Sequence, residues 1–254
     1  MYYNFYRETF KLSHRKATWL APLLILFMMI AIGFAEGHTQ SRLLMMTSFA
    51  SSQVIQLVLV IVASSMFSME FQNKAILTTM YKSPNKFQVF FSKVTIVFIY
   101  NIIIHLLTML FSIVLTFTPI IRSISWLAKY QYNQTLYLNM INTNVIDLIT
   151  STFIISIIIL ISCMINSNAV ATTANIMIIF MGSYVSYNLL LKNNSLGNVF
   201  KWNPLNMINL TQQYYNSTLA TDTKLSLLQL IIASLLYTLL FFSLGYLIFK
   251  KKKF

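Results

Sequence analysis

Long apolar stretches separated by short polar ones form the pattern of this chain. A helix rises about 1.5 Å per residue, so about 20 apolar residues cross the hydrocarbon core of a bilayer, which is roughly 30 Å thick. The pattern therefore predicts an all-α membrane protein with six transmembrane helices within residues 18–249. The predicted spans are residues 18–35, 43–69, 94–119, 145–165, 169–187 and 225–249.

The segment before the first span, residues 1–17, has an amphipathic pattern. Tyr3, Tyr6 and Phe10 fall on one helical face, and the cations, beginning with Arg7, fall on another. Aromatic rings favour the headgroup region of a bilayer, and cations favour its cytosolic surface. This pattern predicts an N-terminal interfacial helix; a frayed basic tail is the alternative.

Residues 70–93 form the long polar interruption in the first half of the chain and carry four lysines. Apolar side chains recur there at helical spacing and predict a short helix with one apolar side. Ser83 and Pro84 are expected to end this helix, because proline cannot continue the hydrogen-bond ladder. The predicted helix and its approach comprise Glu70, Asn73, Lys74, Ile76, Leu77, Met80, Tyr81 and Lys82.

A second long polar segment, residues 188–224, precedes the last span. Its centre is too apolar for a free loop and too short to span, and Asn203 and Pro204 divide it. Two interpretations stay open. The segment forms short helices that re-enter the membrane, where a broken backbone needs burial by protein, or it forms an ordinary extracellular cap.

Composition excludes a soluble protein of this size. The chain has 57% hydrophobic and 9% charged residues, and its formal net charge is +13. Two thirds of its 18 lysines and arginines flank the spans on the side that would hold both termini, including the tail at residues 250–254. Both termini are therefore predicted to be cytosolic in a multi-pass protein of a bacterial cell membrane. Anionic lipids are the expected neighbours of these cations, and no nucleic acid is expected.

Few residues in the chain suggest chemistry. The five glycines are scattered and form no GxxxxGK phosphate-binding loop, and no paired carboxylates, HExxH motif or Cys/His cluster is present. We predict no catalytic or metal site and no cofactor in this chain. Among ionisable groups, His105 falls near the centre of a span and Asp147 at the outer edge of one. Because of these two groups, a secondary carrier is one alternative function. A non-transporting membrane sensor is another.

Polar side chains inside the second and third spans recur at helical spacing, so each set lies along one face. These faces line either a translocation path or a hydrogen-bonded packing seam between helices. The residues concerned are Ser52, Gln53 and Gln56 in the second span and Asn101, His105, Thr108 and Ser112 in the third.

Several of these features together resemble the permease subunits of ABC-2 type exporters. The similarity lies in Glu70 at the end of the second span, the helix that follows, the Ser83-Pro84-Asn85-Lys86 turn and Lys93. The sequence Trp202-Asn203-Pro204-Leu205-Asn206 is similar to an element before the last span of that family. The chain departs from the family at Lys74-Ala75 and Thr78-Thr79, where glycine and threonine are frequent.

The resemblance implies the ABC-2, or type V exporter, permease architecture. It further implies two copies of a separate ATPase that bind ATP and Mg²⁺, with the 73–82 helix seated on each ATPase. A second copy of this chain, or a similar permease, is the implied membrane partner. Size and composition are similar to those of permeases that export amphipathic helical peptides such as phenol-soluble modulins. Permeases that confer immunity to bacteriocins are the alternative within the family.

Overall fold

The computed structural model describes residues 2–82, 85–121, 124–192 and 197–252. Two short 3-10 helices, Gln131–Asn133 and Pro204–Asn209, accompany the α-helices. The α-helices, numbered in chain order, are α1 Tyr2–Ser13, α2 Lys16–Glu36, α3 Ser41–Met46, α4 Ser51–Gln72, α5 Ala75–Lys82, α6 Lys86–Thr116, α7 Leu136–Met164, α8 Asn168–Lys192, α9 Gly197–Phe200, α10 Leu210–Tyr215, α11 Leu219–Thr223 and α12 Leu227–Lys251.

Within the described residues, six helical segments are long and apolar enough to cross a membrane. They are α2, the α3–α4 pair, α6, α7, α8 and α12, so the predicted all-α fold with six spans is confirmed. An even number of spans places both termini at one end of the bundle, which we call the basal end. Lys86 Nζ donates to the Lys250 carbonyl oxygen at 2.9 Å there, joining the start of α6 to the end of α12. The opposite end is called the distal end.

The second span differs from the continuous helix expected over residues 43–69. Ser48, Phe49 and Ala50 all have positive φ, at 49°, 56° and 52°, so a left-handed turn separates α3 from α4. Each such non-glycine residue costs about 1–2 kcal/mol. The buried Phe49 ring packs so closely on Gly33 that a Cβ added to this glycine would lie 3.2 Å from the ring. This close packing holds the turn in place.

The centre of the bundle is α7, which packs against α4, α6, α8 and α12. Phe153, Ile154 and Ile158 of α7 are fully buried among them. Helix α2 lies at the outside, where Trp19 and Phe27 are largely exposed. Apolar side chains that point away from the protein along a span are suited to contact with lipid.

Helix α6 begins at Lys86, earlier than the expected start at residue 94. Its N-terminus is capped by Asn85, whose Oδ1 accepts from the backbone N–H of Phe87 at 3.0 Å and of Gln88 at 3.4 Å. The helix stop expected at Ser83 and Pro84 lies outside the described residues.

The segment before the last span packs into the distal end of the bundle, against α7, α8 and α12. Asn203 begins its 3-10 helix: Oδ1 accepts from Asn206 N–H at 3.0 Å, and Nδ2 donates to Ser186 Oγ of α8 at 3.0 Å. Pro204 follows at the first helical position, where its missing N–H costs nothing. Met207 in the same 3-10 helix is fully buried, so the segment is part of the packed bundle.

Candidate functional site

Helix α5 at the basal end has one face packed on the bundle and one face exposed. Ile76 is 2% exposed, Thr79 is buried and Met80 is partly buried, whereas Leu77 is 43% and Tyr81 91% exposed. The sequence placed Ile76, Leu77, Met80 and Tyr81 in one apolar stripe. The structure divides that stripe, because Ile76 and Met80 are used for packing within the chain. Leu77 and Tyr81 are the apolar side chains left open to a partner.

The chain turns abruptly between α4 and α5. The Asn73 N–H donates to the Met69 carbonyl oxygen at 2.9 Å and ends α4. Lys74 then has φ 53°, and its carbonyl oxygen accepts from the Leu77 N–H at 3.0 Å in the first turn of α5. A lysine in this left-handed conformation costs about 1–2 kcal/mol. The position is also one where the sequence departs from the ABC-2 pattern, in which glycine is frequent.

A buried ion cluster joins α1, α4 and α6 beside α5. Lys93 is 1% exposed, and its Nζ donates to Glu8 Oε2 at 2.7 Å, Glu70 Oε1 at 2.7 Å and the Met66 carbonyl oxygen at 3.3 Å. Lys11 Nζ donates to the same two carboxylates, at 2.6 Å to Glu70 and 2.9 Å to Glu8. These bonds fix α1 to the basal ends of the second and third spans.

Sequence reasoning missed Glu8 in this cluster. Burial by itself would raise the pKa of Glu8, but the charges of Lys93 and Lys11 outweigh it and lower the pKa to about 2. Arg7 and Lys11, expected to face the cytosol, turn inward, and their side chains are only 17% and 30% exposed. The sequence did contain one signal. Glu8 is one of only five acidic residues in the chain, and an acidic residue within a basic segment suggests an ion pair.

An open groove of about 630 Å³ lies on the other side of α5. The basic tail contributes to it, since Lys252 Nζ donates to the Cys163 carbonyl oxygen at 2.9 Å and lies 3.8 Å from the centre of the Phe71 ring. The groove is large enough for one or more side chains of a partner protein. Its lining residues are Phe71, Gln72, Lys74, Ile76, Leu77, Asn166, Ser167 and Lys252.

A second polar cluster surrounds Asp147, toward the distal end. Its carboxylate accepts from Ser52 Oγ at 2.6 Å and Thr211 Oγ1 at 2.9 Å, and it lies 3.1 Å from His105 Nε2. Helices α4, α6, α7 and α10 therefore meet at one carboxylate. The sequence placed Asp147 at the edge of a span, but α7 begins at Leu136, so this residue lies inside the helix and is buried.

The two polar stripes have different surroundings. In the third span, Asn101 Nδ2 donates to Ser151 Oγ of α7 at 2.8 Å, and Thr108 Oγ1 donates to the His105 carbonyl oxygen at 2.8 Å. Ser112 Oγ is buried with no hydrogen-bond partner among the described residues. This stripe faces α7, in the manner of a packing seam.

The stripe of the second span borders a cavity of about 190 Å³, which has room for roughly six water molecules. Gln56 Nε2 donates to Ser52 Oγ at 3.4 Å on its wall. Whether either stripe contacts a transported molecule stays a prediction. The cavity is lined by Thr47, Ala50, Ser51, Ser52, Gln53, Gln56, Thr143, Asn144, Asp147, Ile179, Phe180, Ser183, Ile208, Thr211, Gln212 and Tyr215.

In the described ranges, no group of three or more His, Cys, Asp or Glu side chains is arranged to hold a metal ion. The features present are six apolar spans, a short helix at the basal end with exposed apolar side chains, and two polar clusters inside the bundle. Together they define a multi-pass, all-helical membrane protein with a candidate docking helix at one end.

Residues 5–182 match the family model described as ABC-2 family transporter protein. The match covers α1 through most of α8, so the chain belongs to the ABC-2 transporter family and is a membrane component of a transporter. Members of this family usually work with an ABC ATPase. A comparison with curated proteins gives no match.

Proposed function

We propose that this chain is the permease subunit of an ATP-driven exporter, and that two copies of a separate ATPase dock on α5. The observation that carries the proposal is the exposure of the apolar side chains Leu77 and Tyr81 on the face of α5 that points away from the bundle. The adjacent groove at Lys252 supports it, since it offers a place for a partner's side chains. The sequence contains no GxxxxGK loop, so ATP and Mg²⁺ are assigned to the partner.

Helix α4 connects the docking helix to the interior of the bundle. It carries Glu70 in the basal ion cluster and Ser52 in the distal cluster, about 27 Å apart along a rigid helix. Helix α6 carries Lys93 and His105 in the same two clusters. A displacement of α5 by ATPase closure would therefore move α4 and α6 together and rearrange the hydrogen bonds around Asp147, beside the cavity.

The basal end is assigned to the cytosol, because most cations of the chain flank the spans at that end. The exported molecule is assigned as an amphipathic peptide of the phenol-soluble modulin type, on the resemblance of size and composition alone. A second copy of this chain or a similar permease completes the transport unit. Bacteriocin immunity remains the alternative role for the same machinery, and measuring export of a peptide made inside the cell separates the two.

The docking proposal is tested by introducing a carboxylate on the exposed face of α5. In Leu77→Asp, we expect the MgATP hydrolysis that copurifies with the affinity-tagged chain to fall at least about tenfold, as when an apolar interface anchor is lost. Ile76→Asp is not a clean test, because Ile76 is buried within the chain. The matched control is Val199→Asp, which adds the same charge at an exposed apolar residue of the distal end. Equal ATPase activity in both variants would contradict docking on α5.

A secondary carrier is the second candidate, because the buried pair of His105 and Asp147 next to a polar cavity is a feature of proton-coupled transport. Transport into membrane vesicles distinguishes the two. The permease continues to transport with MgATP after a protonophore collapses the pH gradient, whereas a proton-coupled carrier stops.

A further inference from the structure

We propose that a groove between α1 and α5 binds the phosphate of an anionic lipid headgroup. The groove lies at the basal end and has a volume of about 440 Å³. It is distinct from the groove at Lys252 and does not depend on an ATPase partner. The lining residues that carry the argument are Arg7, Lys11, Arg15, Asn73 and Thr78. The carboxylate of Glu70 also lines the groove, and its charge is compensated by Lys11 and Lys93, at 2.6 and 2.7 Å.

The carboxylates near this groove are already shared. Lys93 and Lys11 both donate to Glu8 and to Glu70, with distances from 2.6 to 2.9 Å. Arg7 Nη2 also contacts Glu8, at 3.4 Å. Lys93, Lys11 and Arg7 therefore share two carboxylates. Arg15 adds a fourth cation, so the region carries excess positive charge.

Arg15 has no carboxylate within ion-pair distance in the part of the chain that the structure describes. Its Nη1 donates to Ser65 Oγ at 2.6 Å, a neutral partner. Burial lowers the pKa of Arg15, and the more distant Glu70 and Glu8 counteract this only in part. Arg7 Nε is buried without a hydrogen-bond partner among the described residues. Both guanidinium groups are partly buried and thus lack part of the compensation that a charge withdrawn from water requires.

A bound phosphate would supply the negative charge and the hydrogen-bond acceptors that Arg7 and Arg15 lack. Guanidinium groups bind phosphate oxygens through paired charge-assisted hydrogen bonds, and Asn73 and Thr78 are positioned on the groove wall to add neutral donors. A lipid is the source we assign. Tyr6 and Phe10 of α1 and Trp19 at the start of α2 are exposed, and such rings lie at headgroup depth in membranes.

Occupancy of the groove would connect the interfacial helix to the docking helix. Arg7 and Lys11 belong to α1, Arg15 lies just before α2, and Thr78 belongs to α5. A bound headgroup would therefore hold α5 against α1, and the lipid composition of the membrane would influence the position of α5.

The test measures lipid retention by the full chain, purified in detergent and titrated with phosphatidylglycerol in native mass spectrometry. We expect one retained phosphatidylglycerol per chain, and binding weakened about tenfold or more in Arg15→Gln, from the loss of a charged hydrogen-bonding pair. Lys16→Gln is the matched control: it removes the same charge from the neighbouring residue, which is exposed and outside the groove. In Arg15→Lys, which keeps the charge but loses the planar fork, binding should weaken several-fold.

Each outcome bears on the proposal. Equal retention by the wild type and Arg15→Gln, or equal weakening in Lys16→Gln, would overturn it. Retention of inorganic phosphate with no retention of phosphatidylglycerol would assign the groove to free phosphate and overturn the lipid as the source, and equal retention of zwitterionic phosphatidylcholine would overturn the preference for an anionic lipid. Should Arg15→Gln not fold, the comparison of Arg15→Lys with Lys16→Gln decides the matter by the same criteria.

Discussion

Lys93→Met is expected to lower the free energy of unfolding by about 3–5 kcal/mol, because it leaves buried carboxylates without their shared cation. Lys93 donates to Glu8 and Glu70 at 2.7 Å from a fully buried position, and Lys11, which is partly exposed, is the main cation that remains with them. The measurement is denaturant unfolding in detergent, followed by circular dichroism.

Two comparisons make this prediction specific to the ion cluster. Lys16→Met removes an exposed lysine at the same end and should change the free energy of unfolding little. Adding Glu8→Gln and Glu70→Gln to Lys93→Met removes the uncompensated charges and should recover much of the lost stability. If Lys93→Met is as stable as Lys16→Met, the cluster does not hold α1, α4 and α6 together.

Asp147→Ala is expected to lower the free energy of unfolding by about 2–4 kcal/mol, because donors from three helices lose one common acceptor. Ser52, Thr211 and His105 all face this carboxylate, and the adjacent cavity can hydrate only part of the groups left unpaired. Asp147→Asn keeps the shape and one acceptor oxygen and should lower the free energy of unfolding by less than Asp147→Ala does. The two variants are compared by thermal unfolding, and equal losses would show that the acceptor network is not what stabilises this region.

The all-helical class and the number of spans were predictable from the sequence, because a bilayer imposes both a minimum apolar length and helical geometry. The contacts between residues of different helices were not predictable. Glu8 and Lys93 are far apart in the chain. Helical spacing predicts on which face of a helix a residue lies, but it does not predict which residue of another helix it contacts. The position of Asp147 well inside α7 was not predicted, because the apolar pattern of α7 starts later than the helix itself.

The left-handed turn in the second span also had no clear signal. Ser48, Phe49 and Ala50 include no glycine or proline, and the polar residues around them, such as Thr47 and Ser51, are also common inside transmembrane helices. Tertiary packing of Phe49 on Gly33 overrides local preference there. On α5 the sequence predicted a single apolar stripe, and helical spacing did not show that Ile76 and Met80 pack inward whereas Leu77 and Tyr81 stay exposed.

The measurement that tests the docking of an ATPase on α5 most directly is site-specific crosslinking from Tyr81. The chain has one cysteine, Cys163, and it is fully buried, so Tyr81→Cys creates a single exposed thiol for a photoreactive maleimide. Val199→Cys provides the same thiol at the distal end. The account predicts that position 81 crosslinks to an ATPase subunit in the native membrane and that position 199 does not; an absence of ATPase crosslinks from position 81, or equal crosslinking from both positions, would contradict it.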